Sequence, residues 1–189
     1  GTLRQTRRGY CRAAWSRLTN AGLSKRVVVL GCAGSGKTTF SRQLGARLNI
    51  PVICLDAIWQ PGGDISRFRA TISPLHAGSV WISDGNFADL TFDIRLPRAT
   101  LIVLLERPRL LCAWRAIARV FRNGEAHKMA QLAKVLMFIW RFDRNNRPRI
   151  EQNRLLYGPQ LPLVSLRNDA EIEAFLGVAA GDSRSAALH

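Results

Sequence analysis

Between Gly31 and Thr38 the chain reads Gly31-Cys32-Ala33-Gly34-Ser35-Gly36-Lys37-Thr38, followed by Thr39. This string satisfies the phosphate-binding spacing G-x-x-x-x-G-K-[ST]. Glycines at these positions let backbone N–H groups turn inward around a phosphate oxygen. The Lys37 ammonium can bridge β- and γ-phosphates, and the Thr38 hydroxyl can ligate Mg²⁺. A helix beginning near Lys37 adds its positive N-terminal end to the same anion. The β-branched run Val27-Val28-Val29-Leu30 stands directly before the loop and a helical pattern directly after it, which is the context the motif requires. The spacing therefore implies a site for a nucleoside triphosphate, ATP in the first instance.

Further polar residues follow other apolar runs. Asp56 comes after Val52-Ile53-Cys54-Leu55, with Trp59 close behind, and Asp84-Gly85-Asn86 comes after Val80-Trp81-Ile82-Ser83. Arg115, Arg119 and Arg122 lie at helical spacing, on one stripe of a helix. Carboxylates for metal and acceptor, with guanidinium groups for developing phosphate charge, form the division of labour that phosphoryl transfer needs. Each feature also has a plainer reading. Asp84 before a glycine opens a turn, Asp56 caps a helix, and an arginine stripe is a solvated face. His76 and His127 have no metal-like company and are assigned no role.

The elements that must position these residues alternate. Strands are expected over 26–31, 52–55, 79–83, 100–106 and 162–166, mostly as short continuous apolar runs, the pattern of parallel strands buried on both faces. Helices are expected over 37–48, 65–77, 108–122, 129–143, 147–157 and 169–177. The last is expected to be capped by Asp169 and ended by Gly177. The helix with Leu132, Val135, Leu136, Phe138, Ile139 and Trp140 reads as packing. Strand–helix alternation argues for a three-layer α/β sandwich around a parallel sheet, whose ligands sit outside the carboxyl ends of the strands. The core is expected over 23–178, preceded by a basic leader over 1–22 and followed by a frayed tail over 179–189. In the leader, Tyr10, Ala14, Trp15 and Leu18 have the spacing of one face of a short helix, though a solvated leader outside the domain is the expected reading, and the segment carries five arginines and no acidic residue.

The 189 residues suffice for one domain with a substantial core. Four scattered cysteines (Cys11, Cys32, Cys54, Cys112), without metal or disulfide spacing, are expected as free thiols of a reducing, cytoplasmic compartment. No apolar run reaches the length of a membrane span, and residues 1–22 lack the apolar core of a secretory signal. The formal charge of +15 favours anionic partners. All but four of the basic residues (Lys25, Lys37, Lys128, Lys134) are arginine, so specific nucleic-acid binding is not the favoured reading.

With these residues in view, the chain resembles the P-loop small-molecule kinases of the adenylate and shikimate kinase type. More narrowly, it is similar to the adenylate-kinase-like group labelled topology modulation proteins. The strings that carry the likeness are Gly31–Thr39, Leu55-Asp56 with Trp59-Gln60-Pro61-Gly62, and Trp81–Phe87 with Asp93-Ile94-Arg95. To these add Pro108…Arg115…Arg119, Trp140 with Arg147-Pro148-Arg149, and Leu166-Arg167. The resemblance covers about residues 25–177. It implies a P-loop NTPase fold with a five-stranded sheet in the order 2-3-1-4-5 and a short lid near Arg122–Lys128. It implies that Asp84 orients Mg²⁺-bound water, that Arg115 and Arg119 stand at the lid base, and that Asp56 serves the acceptor. Arg167 is placed near the nucleotide base, and Trp59, Asn86 and Arg95 join Asp56 on the acceptor side. The function implied is transfer of the γ-phosphoryl of ATP to a small acceptor, a nucleoside monophosphate among the candidates. A guanine-specific switch is disfavoured because no N-K-x-D string occurs. The competing class is a nucleotide-dependent protein bound to DNA or RNA through its basic surface.

Overall fold

The structure, a computed structural model, describes residues 25–122 and 129–186. The basic leader, the expected lid over 123–128 and the last residues of the tail lie outside the described residues. In chain order the elements are β1 (Arg26–Gly31), α1 (Lys37–Leu48), β2 (Val52–Cys54), α2 (Leu55–Ile58), α3 (Ile65–Leu75), β3 (Trp81–Asp84), α4 (Ala88–Arg95), β4 (Leu101–Leu105), α5 (Arg109–Arg122), α6 (Met129–Tyr157), β5 (Leu163–Leu166) and α7 (Asp169–Ala186). The five strands form one parallel sheet in the order β2-β3-β1-β4-β5.

Alternation along the strands explains why both faces are covered. Val27, Val29, Leu101, Val103 and Leu105 point to one face and pack with Phe40 and Leu44 of α1 and Phe175 and Leu176 of α7. Val28, Leu30, Ile102 and Leu104 point to the other, against Phe92 of α4, Cys112 and Ala116 of α5 and Ile139, Phe142 and Ile150 of α6. Strands that are apolar on both sides demand this three-layer arrangement. The register brings Asp84 of β3 opposite Val29 and Leu105 of β4 opposite Gly31, so the ends of β1, β3 and β4 open at one edge. The connection from β1 runs to β2 on one side of the sheet and that from β3 runs to β4 on the other, the reversal whose crevice holds ligands in α/β sheets.

Four elements differ from expectation. The segments 129–143 and 147–157 are one helix, α6, which runs through Pro148. A proline inside a helix costs about 3 kcal/mol, but Ile139, Phe142, Asn146 and Ile150 follow at three- and four-residue spacing, and the buried Ile139, Phe142 and Ile150 keep the helix docked across it. Helix α4 has no apolar signature because its buried face includes Thr91 and Arg95 beside Phe92 and Ile94. Leu55 ends no strand; it starts the one-turn α2. Helix α7 passes through Gly177 to Ala186, with Ala179 in the core, and its N-terminus is capped by Asn168 rather than Asp169. The Asn168 Oδ1 accepts from the Glu171 N–H at 2.8 Å, and the Glu171 carboxylate accepts from the Arg167 N–H at 2.7 Å, a reciprocal arrangement of the capping-box kind.

Under the β3 edge lies a buried polar chain. His76 receives no solvent; its Nδ1 lies 2.8 Å from the Ile72 carbonyl and its Nε2 2.9 Å from Ser83 Oγ. Burial, with the nearby charges of Arg95 and Arg98, pushes the His76 pKa down to about 4. The folded value lies below that of an unfolded chain, about 6.5. The contribution of neutral His76 is therefore complete above pH 6.5 and is lost as pH falls toward 4, by up to about 3 kcal/mol. Denaturant unfolding followed across that window should show stability falling with acid. His76→Gln, which keeps polar contacts but does not titrate, should flatten the wild-type slope; an unchanged slope contradicts the assignment.

Candidate active site

The phosphate loop closes over the carboxyl end of β1 because its glycines permit it. At Gly34, with φ of +78°, a Cβ would stand 2.4 Å from the Cys112 carbonyl oxygen of α5. Gly36, with φ of +93°, turns the chain in the left-handed region directly into α1. The thiols of Cys32 and Cys112 meet beneath the loop. Their hydrogen bond lowers the Cys112 pKa, helped by Arg115 and Lys37, and raises that of Cys32.

Asn86 fixes where the loop begins. Its Oδ1 accepts from the Gly31 N–H at 3.1 Å and its Nδ2 donates to the Gly31 carbonyl at 2.9 Å. Lys37 spans the loop and donates to the carbonyls of Gly31 and Cys32, each at 3.0 Å. Burial lowers the Lys37 pKa, and the fields of Asp84 and Asp56 oppose that shift. Thr38 Oγ1 donates to Asp84 Oδ2 at 2.7 Å. Asp84 is fully buried, and burial raises its pKa against the Thr38 hydrogen bond and the Lys37 charge. Its second oxygen, Oδ1, is buried without a hydrogen-bond partner.

A buried, unpartnered carboxylate oxygen costs desolvation energy and is rare in native structures. A bound cation with its water shell satisfies it. Among the described residues no cluster of three or more His, Cys, Asp or Glu could hold a metal by itself. Mg²⁺ needs no such cage, since it keeps several waters and is shared with substrate phosphates. Thr38 and Asp84 therefore fit the ion.

Two clefts of about 500 Å³ each flank the loop. One is lined by Lys37, Thr38, Asp56, Asn86, Phe87, Asp89, Arg119, Phe138, Asn146, Arg149 and Ile150. The other is lined by Gly34–Gly36, Thr39, Gln43, Arg107, Trp114, Arg115, Arg119 and Asp169. The stripe on α5 thus delivers Arg115 to one cleft and Arg119 to both, while the Arg122 side chain falls outside the described residues.

Three expected site residues stand elsewhere. Arg95 is wholly buried: its guanidinium donates to Ser83 Oγ and the carbonyls of Gly85 and Asn86, at 3.2, 2.9 and 2.6 Å. It lines no cleft and supports the Asp84–Asn86 turn from below. Trp59 packs edge-on against Phe68, with ring centroids 5.1 Å apart, and 6.0 Å from Phe87, so Phe87 rather than Trp59 faces the cleft. Phe87 takes a left-handed φ of +32° in doing so. Arg167 donates from Nε to Glu106 at 3.1 Å, and Glu106 also pairs with Arg147 at 2.6 Å. Its place beside the loop is taken by Arg107, whose nearly buried side chain pairs with Asp169. Sequence reasoning also missed Asp89 and Arg149, paired at 3.0 Å across α4 and α6. Arg149 lay within a recognised string, but only the unbroken α6 shows which cleft it reaches.

No family model matches the sequence, and no curated protein does. Solved structures do. A shikimate kinase from Acinetobacter baumannii, in complex with shikimate, superposes with a TM-score of 0.55 at 14% identity, covering 85% of this chain and 94% of that one. A gluconokinase from Sinorhizobium meliloti 1021 gives 0.52 at 20% identity, over 85% and 91%. A shikimate kinase from Bacteroides thetaiotaomicron gives 0.50 at 19%, over 82% and 95%. The fold is that of the P-loop kinases. At these identities the likeness concerns the fold, and the chemistry rests on the chain's own residues.

The Asn86–Gly31 pair carries a direct expectation. Asn86→Ala removes both hydrogen bonds and leaves Gly31 unsatisfied, so unfolding free energy should fall by about 1–3 kcal/mol. Asn86→Asp restores only the acceptor and sets a carboxylate against the Gly31 carbonyl, so it should do no better. Urea titration checks both; an Asn86→Asp protein as stable as wild type contradicts the pairing.

Proposed function

We propose that the protein is a kinase that transfers the γ-phosphoryl group of ATP, with Mg²⁺, to a small hydroxyl- or phosphate-bearing acceptor. The observation that carries this reading is the buried Asp84, bonded to the half-buried Thr38 and with its Oδ1 left unpartnered, set directly under a phosphate loop. The P-loop kinase fold supports it. The narrower affinity with topology modulation proteins rests on the sequence strings alone.

Each residue then has a task. The loop N–H groups and the start of α1 bind phosphate oxygens. Lys37 exchanges its two carbonyl partners for the β- and γ-phosphates, a trade of neutral for charged acceptors. When bound, Mg²⁺ neutralises phosphate charge; Thr38 and Asp84 would hold it with its waters. Arg119, shared by the two clefts, stands where charge develops between donor and acceptor, and Arg115 clamps the donor side. Asp56 lines the first cleft, where it orients an acceptor hydroxyl in line with the γ-phosphate and takes its proton. Asn146 and the Asp89–Arg149 pair offer polar contacts for the acceptor, and Phe87, Phe138 and Ile150 exclude water. The second cleft, with Arg107, Trp114 and Asp169, takes the ribose and base.

The test is ADP release from ATP across nucleoside monophosphates, nucleosides, sugars and hydroxy acids. At least one acceptor should stimulate release, and Lys37→Met should fold normally yet lose about 100-fold or more of that rate. Wild-type turnover in the Lys37→Met protein contradicts the phosphate-loop assignment.

Asp56→Asn separates the acceptor step from ATP binding. Nucleotide affinity should stay within a few-fold of wild type, slow acceptor-independent hydrolysis should persist, and acceptor-dependent release should fall by about 100-fold. Full acceptor-dependent turnover with only a lower melting temperature makes Asp56 a structural residue of α2.

A further inference from the structure

Helices α5 and α6 pack side by side over the sheet, and both present apolar side chains on the surface facing away from it. On α5 the core side carries Cys112 and Ala116, while the opposite side carries Leu110, Trp114 and Phe121, 78%, 67% and 69% exposed. On α6 the core side carries Ile139 and Phe142, and the outer side carries Met137 and Trp140, 55% and 65% exposed. One ion pair beside Trp140 bridges the two helices. Arg109 of α5 pairs with Asp143 of α6 at 2.8 Å, and its guanidinium carbon lies 5.8 Å from the centre of the Trp140 ring. Folding of the described residues leaves these large apolar side chains exposed, and apolar side chains gathered on one face mark an interaction site.

Charge says what covers it. Among the described residues the outer face carries three exposed cations, Lys134, Arg141 and Arg144, none of which lines a cleft beside the phosphate loop. On α6, exposed Lys134, Arg141 and Arg144 alternate with Met137 and Trp140 at three- and four-residue spacing on the outer side. Tryptophan, phenylalanine and leucine flanked by lysine and arginine form the composition of helices that lie in the headgroup region of anionic bilayers. A second copy of the chain would bring the same basic flanks face to face. Nucleic acid would suit the arginines, but Leu110 and Met137 offer it neither a hydrogen bond nor a stacking plane, and such interfaces are polar. No described helix is long and apolar enough to cross a membrane, which leaves surface attachment.

We propose that the outer face of the α5–α6 hairpin docks the protein on an anionic lipid surface. Trp140, Phe121, Leu110 and Met137 enter the headgroup–acyl boundary there, and Lys134, Arg141 and Arg144 contact lipid phosphate. This inference stands apart from the kinase reading, since none of these residues lines the clefts beside the phosphate loop except through the neighbouring Trp114.

The test is sedimentation of the full chain with vesicles of phosphatidylglycerol mixed into phosphatidylcholine, against vesicles of phosphatidylcholine alone. Binding should require phosphatidylglycerol and weaken as salt rises. Phe121→Glu with Trp140→Glu should weaken it by about tenfold or more, and Arg141→Gln with Arg144→Gln by a similar factor. Both pairs are exposed, and melting curves confirm that they fold. Equal binding to neutral vesicles, or wild-type binding by both double variants, overturns the proposal. So does a concentration-dependent dimer abolished by Trp140→Glu, which makes the face a contact between copies. Protection of the same face by an oligonucleotide, without vesicle binding, makes it a nucleic-acid surface.

Discussion

A carboxylate buried at the carboxyl edge of a parallel sheet is the constraint around which the rest of this molecule is arranged. Asp84 keeps a hydrogen bond from Thr38 on one oxygen and has none on the other. Lys37 and the buried Arg95 supply opposing charge, and together they offset part of the desolvation that raises the Asp84 pKa. Such an arrangement costs stability, which the proposed cation would offset. The order of the sheet bears on the same site. Placing β3 beside β1 sets Asp84 opposite Val29, within reach of the first turn of α1.

A second polar layer holds this one in place. His76 touches Ser83, Ser83 touches Arg95, Arg95 grips the Gly85 and Asn86 carbonyls, and Asn86 grips Gly31. The chain runs from the α3 side of the sheet to the first residue of the phosphate loop, with each link a specific hydrogen bond. Arg95 Nε alone in this series is buried without a partner, and the directional bonds of the rest favour one geometry over several. It explains why a buried arginine stands in α4: its work is to orient the turn above it, not to meet a substrate.

Local patterns made the phosphate loop and the strands legible in the sequence, because β-branched runs before a glycine-rich turn leave few alternatives, whereas the sheet order was implied only by the resemblance to P-loop kinases. Asp84 and Asp56 were singled out by the rule that ligands gather beyond strand ends; Asp84 bonds Thr38 beneath the loop and Asp56 lines the first cleft. What escaped was information that only packing carries. Helix α4 buries a threonine and an arginine, so no apolar period betrays it. Pro148 looked like a boundary, yet the buried Ile139, Phe142 and Ile150 carry α6 across it and so aim Arg149 into the first cleft. Arg95 and Arg107 are the same residue type, and both follow strands whose ends open at the site. Arg95 turned inward under its own loop, while Arg107 took the cleft position expected of Arg167, which Glu106 had already engaged. Which way an arginine points depends on the partners the fold brings to it.

Asp84 and Thr38 are proposed to hold a divalent cation delivered with a nucleotide. Calorimetric titration of the full chain with a non-hydrolysable ATP analogue, with Mg²⁺ and again with the metal chelated, tests it most directly. The account predicts binding at least about tenfold tighter with Mg²⁺. Equal affinity in the two conditions, or no binding in either, would contradict it.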